Sequence, residues 1–162
     1  MGIGFGGFFR VTCYDKHGNV KWEDGFRNTV VQTGRRYANN TALAGSAVIA
    51  TWYVGLMDGT PTVATANTAS DHAGWTEFSL YDEATRPTFN AVGSADQVGN
   101  NASKASFAIA TTSDLGGAYI VSDSGKQGSA GTLWAGASFS ANKSTGPSDT
   151  ITIEYTASVT SS

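Results

Sequence analysis

Apolar and polar positions alternate with a period of two along most of this chain, the pattern of half-buried strands rather than of helices. The clearest case is DTITIEYTASVT (149–160). Ile151, Ile153, Tyr155 and Val159 fall on one face, and Thr150, Thr152, Glu154, Thr156 and Ser158 on the other. The spacing predicts an antiparallel strand with one wet side. KASFAIAT (104–111) turns Phe107 and Ile109 inward in the same way. In GTLWAGASFS (131–140), Leu133, Ala135, Ala137 and Phe139 share a face and Trp134 falls opposite. GAYIVSD (117–123) and WTEFSLYD (75–82) read as further strands, and IATWYVGLMDG (49–59) is apolar on both faces, as a central strand should be.

Near the start, GFFRVTCYD and NVKWEDGF flank DKHGN, which predicts a β-hairpin closed by a short loop. RNTVVQTGRRYANNTALAG (27–45) is the best helix candidate, with Asn28 as its cap and Gly34 weakening its middle. Turn-forming clusters recur every eight to fifteen residues, as at DGTP, VGNN, DLGG and TGPSD. Even spacing of short strands with one helix predicts an all-β fold, a sandwich or barrel, read here as a single antiparallel β-sandwich with one short helix after the N-terminal hairpin. The expected organisation is a glycine-rich, flexible N-terminal arm at 1–7 and a single sandwich domain at 8–162. Four of the seven arm residues are glycine, yet Ile3 and Phe5 lie among them and Phe8 and Phe9 follow. Such an arm either becomes the first strand or docks on a partner, where its phenylalanines find something to bury against.

Length and charge narrow the picture. A chain of 162 residues buries about 70% of its unfolded surface on folding, and one cysteine, Cys13, allows no internal disulfide. Charged residues are 14% of the chain and the net charge is −3, so the basic field of a nucleic-acid binder is missing. A polar, weakly charged skin suits assembly, because few ions lose water when it is covered. No apolar run reaches the length of a membrane span. MGIGFGGFFR lacks the basic and apolar regions of a signal peptide and has Gly6 where myristoylation wants Ser or Thr, so neither membrane attachment nor secretion is expected. The sequons at Asn39, Asn101 and Asn142 therefore carry no weight.

Candidate chemistry concentrates in SDHAGWTEFSLYDEATRP (70–87), with Asp71, His72, Glu77, Asp82, Glu83 and Arg86. A hydrolytic triad needs a carboxylate placed to orient His72 and an exposed nucleophile; Asp71 is its direct neighbour, and no G-x-S-x-G elbow exists. Zinc needs three or four ligands, and the other histidine, His17, sits in the hairpin loop. Glu77 and Asp82 fall on opposite faces of one strand, so they make no glycosidase pair by themselves. The structural reading fits better: Asp71 or Ser70 caps a turn, His72 bonds a backbone carbonyl, and Arg86 pairs with Asp82 or Glu83. DKHGN lacks the order of a calcium loop, and GIGFGG and SDSGKQG lack the glycine spacing of nucleotide sites. No catalytic residue, metal site or cofactor is expected. Four tryptophans and several tyrosines leave room for a sugar-stacking platform, which needs two aromatic rings on one exposed face.

Three blocks carry a family resemblance: FRVTCYDKHGNVKWEDGFRNTVVQTG, WYVGLMDGTPTVATANTASDHAGWTEFSLYDEATRP, and GTLWAGASF with DTITIEYTASV. Together they resemble small structural proteins of tailed bacteriophages, most of all capsid decoration, or cement, proteins, some of which are jelly rolls, so the resemblance implies a jelly-roll-like sandwich. The resemblance implies a virion component made in the bacterial host cytoplasm, lying on the capsid surface against the major capsid protein, as a homo-oligomer (dimer or trimer), without nucleic acid or membrane. A tail or fibre component binding a receptor or glycan is the alternative. No catalytic residues come with such a family. Ile3, Phe5, Phe8 and Phe9 are the expected capsid or subunit contacts.

Overall fold

A computed structural model describes residues 2–161, folded as two antiparallel sheets packed face to face. One sheet, A, carries β2 (Val20–Arg27), β1 (Ile3–Tyr14), β11 (Thr150–Ser161), β7 (Gln97–Gly99) and β6 (Val92–Ser94) in that order, with β8 (Ala105–Ala108) also paired to β11. The other, B, runs β3 (Thr29–Val30), β10 (Leu133–Thr145), β9 (Ser113–Val121), β4 (Tyr53–Asp58) and β5 (Glu77–Phe78). The helix α1 spans Gln32–Leu43. The fold is an all-β sandwich. First pairs with last, β1 with β11, and inside that β3 pairs with β10 and β4 with β9, the nested pairing of a jelly-roll-like chain.

Ile151, Ile153, Tyr155, Phe107 and Ile109 turn inward as their spacing predicts, while Val159 at the end of β11 keeps 46% of its surface exposed. Ile151, Ile153 and Tyr155 of β11, Phe9, Val11 and Cys13 of β1, and Phe107 and Ile109 all lie in one buried cluster with Val54, Leu56, Ile120, Ala135 and Phe139 from sheet B. Phe9 packs against Phe26 at 5.6 Å and Tyr155 at 4.5 Å between ring centroids. A second cluster covers the outer face of sheet B: Val31, Met57, Trp75, Tyr119, Val121 and Leu133, closed over by the segment after β4. The DKHGN loop is held by Asp15, whose Oδ1 accepts the backbone N–H of His17 and of Asn19, with Gly18 at φ +82°.

Four expectations change. The helix begins at Gln32, with no side-chain cap, because Asn28 is engaged elsewhere: its N–H donates to the Gly7 carbonyl and its Nδ2 to the Tyr155 hydroxyl. Gly34 has a structural reason, since a Cβ there would overlap the Trp134 carbonyl. The alternation in β10 breaks at a β-bulge: Leu133 pairs with Val121 and Ala135 with Ile120, leaving Trp134 as the extra residue. Leu133 therefore joins the outer cluster, and Trp134 packs with Ala135 against the inner one. The start of α1 pins the bulge, with Val31 N–H donating to the Trp134 carbonyl and Thr33 Oγ1 to the Leu133 carbonyl. Residues 3–7, expected in a flexible arm, form the first part of β1 and pair in register with 157–161 of β11. Gly7 permits this, because the Tyr155 ring lies where its Cβ would stand.

Candidate interaction site

Two cavities lie on opposite faces of sheet B, either side of the β10 bulge. The outer one, about 200 Å³, is lined by His72, Trp75, Glu77, Arg86, Tyr119, Gln127 and Leu133 among others. It gathers most of the sequence's candidate chemistry. Arg86 is only 3% exposed, and each of its five guanidinium N–H groups has an acceptor. Nε and Nη2 donate to the two Glu77 oxygens at 2.9 and 2.8 Å, Nη1 to the Asp123 carbonyl and Oδ2, and Nη2 also to the Gly128 carbonyl. The expected partners Asp82 and Glu83 are not used. Asp82 is exposed, and Glu83 accepts the Ala108 N–H through both oxygens. Burial alone would favour loss of the Arg86 proton; the bonds to Glu77 outweigh it and hold the guanidinium charged. Tyr119 lies beneath, its ring 5.6 Å from the guanidinium carbon, and burial followed by the nearby Glu77 charge drives its hydroxyl well above the usual range.

His72 stacks on Trp75 at 3.7 Å and 14° and, with its proton on Nδ1, donates to the Trp75 carbonyl at 3.0 Å. Asp71 closes a turn through its backbone, with Thr68 N–H donating to its carbonyl and its own N–H to Thr68 Oγ1. The cavity is thus a polar knot tying the 123–128 loop and the covering segment to β5. Among the described residues, no three His, Cys, Asp or Glu side chains converge as a metal would require.

The inner cavity is larger, about 480 Å³, open at one end of the sandwich and mainly apolar. It exists because sheet A overhangs sheet B. Beyond Phe9 and Tyr155 the inner face continues through Phe5 on β1, Ala157 and Val159 on β11 and Val98 on β7. Its other wall is aromatic. Trp134, turned inward by the bulge, meets Phe5 edge-on at 6.0 Å and Trp52 at 6.2 Å, and Tyr37 of α1 meets Trp52 at 5.3 Å. Phe89 stacks obliquely on Tyr155 at 5.8 Å. The Tyr155 hydroxyl accepts from Trp134 Nε1 and Asn28 Nδ2, which fixes the floor, and burial raises its ionisation well above the usual tyrosine range. Asp96 and Gln97 stand at the rim.

No protein-family model matches the chain, and neither does any curated protein. Geometry therefore has to sort the four expected contact residues. Phe9 is fully buried and is core, a correction that follows from its inward parity in β1. Ile3 is 75% and Phe8 38% exposed; they sit on opposite faces of the sheet. Phe5 is half-buried and lines the inner cavity. Sequence reading missed Trp52, Trp134, Phe89 and Tyr37 as one site. Parity set Trp134 on the wrong face, and only the bulge corrects it; the other three come from a loop, a helix and a strand entry that no local spacing connects.

Proposed function

We propose that this chain is a non-enzymatic structural protein of a tailed-phage virion, decorating and stabilising the outer surface of the capsid with the major capsid protein as its partner. The overhanging end carries this reading. Ile3, Phe5, Val98 and Val159 are apolar, partly or largely exposed, and contiguous with the core, the character of a surface that closes against another protein. Of the polar candidates, by contrast, Arg86 and Glu77 are bonded to each other, and His72 and Glu83 to backbone groups. A small sandwich laid across neighbouring capsid subunits adds buried area at each contact, and a specific contact needs about 1,000 Å². Dimers or trimers on the shell multiply a modest gain through avidity. The resemblance of the sequence to decoration proteins supports the same reading.

The test is binding of purified protein to expanded capsid shells, with the shells' melting temperature as readout. Wild type should bind and raise it, and Phe5→Ser with Val159→Asp should bind poorly while staying folded. Failure of wild type to bind expanded shells contradicts the proposal. One observation favours a second reading, a glycan- or receptor-binding tail component: Trp52 and Trp134 share an open cavity with the rim groups of Asp96 and Gln97. A glycan array with hits abolished by Trp52→Ala would support it over the first.

A further inference from the structure

The first strand is only half accompanied. β1 pairs with β11 from Ile3 to Tyr14, but β2 covers it only from Phe8 onward, because the chain leaves that lane after Arg27 to enter the other sheet. On the vacated side, the Gly7 carbonyl accepts the Asn28 N–H. Backbone groups of a strand turn to alternate sides at successive residues, so Phe5 and Ile3 present their N–H and C=O in the same direction as Gly7. Among the described residues, no strand occupies that edge next to 3–6. Such an edge is a template for one more strand.

A groove of about 490 Å³ runs beside this edge, walled on one side by Ile3 and Phe5 and on the other by Gln32, Arg35, Arg36 and Asn39 of α1. The four helix positions are spaced i, i+3, i+4, i+7, one face of α1. Arg35 donates through Nη1 to the Val30 carbonyl. Neither arginine, nor Arg27 where β2 ends, has a carboxylate within ion-pair distance among the described residues. The chain as a whole is acidic, at −3, so this concentration of unmatched guanidinium groups is local.

We propose that the groove accepts an extended, carboxylate-bearing segment of a partner protein, which adds as a strand to the Ile3–Gly7 edge. Backbone bonds to Ile3 and Phe5 fix the register, apolar side chains of the segment continue the inner face at Phe5, and its carboxylates meet Arg35 and Arg36. A second copy of this chain fits less well. Edge-to-edge pairing of two β1 strands would draw Arg35 and Arg36 of both copies together without counter-charge. The inference concerns the chemistry of the segment and stands whether or not the partner is a capsid protein.

The probe is a blocked heptapeptide of alternating valine and glutamate, with its valine–lysine counterpart as control. Binding is followed by backbone NMR and by tryptophan fluorescence. The glutamate peptide should protect the Ile3 and Phe5 amides from hydrogen exchange and weaken as salt is raised. Arg35→Glu with Arg36→Glu should cut its affinity at least ~10-fold. Ile3→Pro removes an N–H on the vacant side only, where proline is tolerated, and should abolish binding with the fold intact by circular dichroism. Equal binding of both peptides, binding unaffected by the double charge reversal, or no amide protection overturns the proposal. So does a homodimer in sedimentation equilibrium that Ile3→Pro dissolves, which would make a second copy the occupant.

Discussion

The two cavities flanking the β10 bulge are built from neighbouring residues and have opposite characters. Leu133 and Val121 line the outer one; Trp134 and Ile120, one residue away on the same strands, line the inner one. The outer cavity holds the charged groups, yet each of the five Arg86 N–H groups meets an acceptor and His72 lies stacked and bonded. The inner cavity holds almost no charge, yet its apolar rim faces solvent. The ionisable residues clustered around Arg86 mark an internal fastening, whereas the apolar end keeps exposed surface continuous with the core. A buried ion pair is costly to break once formed; an exposed apolar continuation of a core is the feature that marks interaction surfaces.

Breaking the outer fastening gives the largest effect. Arg86→Ala leaves Glu77 buried without its partner and should cost about 3–5 kcal/mol in denaturant unfolding. Replacing both, Arg86→Met with Glu77→Leu, should restore most of that loss. If the single change is harmless, the cavity is not a fastening and its polar groups need another explanation.

Gly34→Ala sharpens the contrast from the bulge itself. Helix propensity alone predicts a gain of about 1 kcal/mol. Overlap with the Trp134 carbonyl predicts instead a loss of about 1–3 kcal/mol and, because the bulge aims Trp134, a changed tryptophan emission. The sign of the stability change decides between the two.

That glycine also shows how far the sequence could be read. Period-two alternation was enough for the sandwich and for the inward faces of β8 and β11, because side-chain parity is a local property; the same parity in β1 puts Phe9 in the core and not among the contacts. The bulge cancels parity at one residue, and nothing in GTLWAGASFS marks it. The reason for Gly34 lies not in its helix but on β10, about a hundred positions on. Arg86 was readable as an ion-pair residue, but its partner is Glu77 rather than the adjacent Asp82 or Glu83, since the chain bends between them and the 123–128 loop folds over the guanidinium. Of the expected contacts, Ile3, Phe5 and Phe8 keep exposed surface and Phe9 does not. The aromatic wall was invisible because its members come from four separate segments.

Alkali probes the residues beneath both cavities and the thiol in the core of sheet A. Tyr119 under the outer cavity and Tyr155 under the inner one both ionise well above the usual tyrosine range, burial being the main cause, and burial followed by the nearby Asp149 charge pushes the Cys13 thiol up to about 12. Groups held protonated in the folded state stabilise it fully below their unfolded values, about 8.5 for cysteine and 10 for tyrosine, and that contribution is lost as pH rises through the folded values. Stability should therefore be flat with respect to these groups through neutrality and fall above roughly pH 9. Tyrosinate absorbance from Tyr119 and Tyr155 should appear only with unfolding, and iodoacetamide should leave Cys13 unmodified at pH 7. Early tyrosinate absorbance would mean that the floors of the cavities are wet.

The smallest stability effects belong to the open rim. Ile3→Ser and Val98→Ser should each shift unfolding by about 0.5 kcal/mol or less while weakening attachment to a partner. A large loss of stability from either would place the rim within the fold rather than at an interface.

Hydrogen–deuterium exchange of the intact chain with and without expanded capsid shells tests the central claim most directly. The account predicts added protection at residues 3–7, 95–98 and 157–161 and none at His72 or the 123–128 loop. Protection confined to that loop and His72, with the overhanging end unchanged, would contradict it.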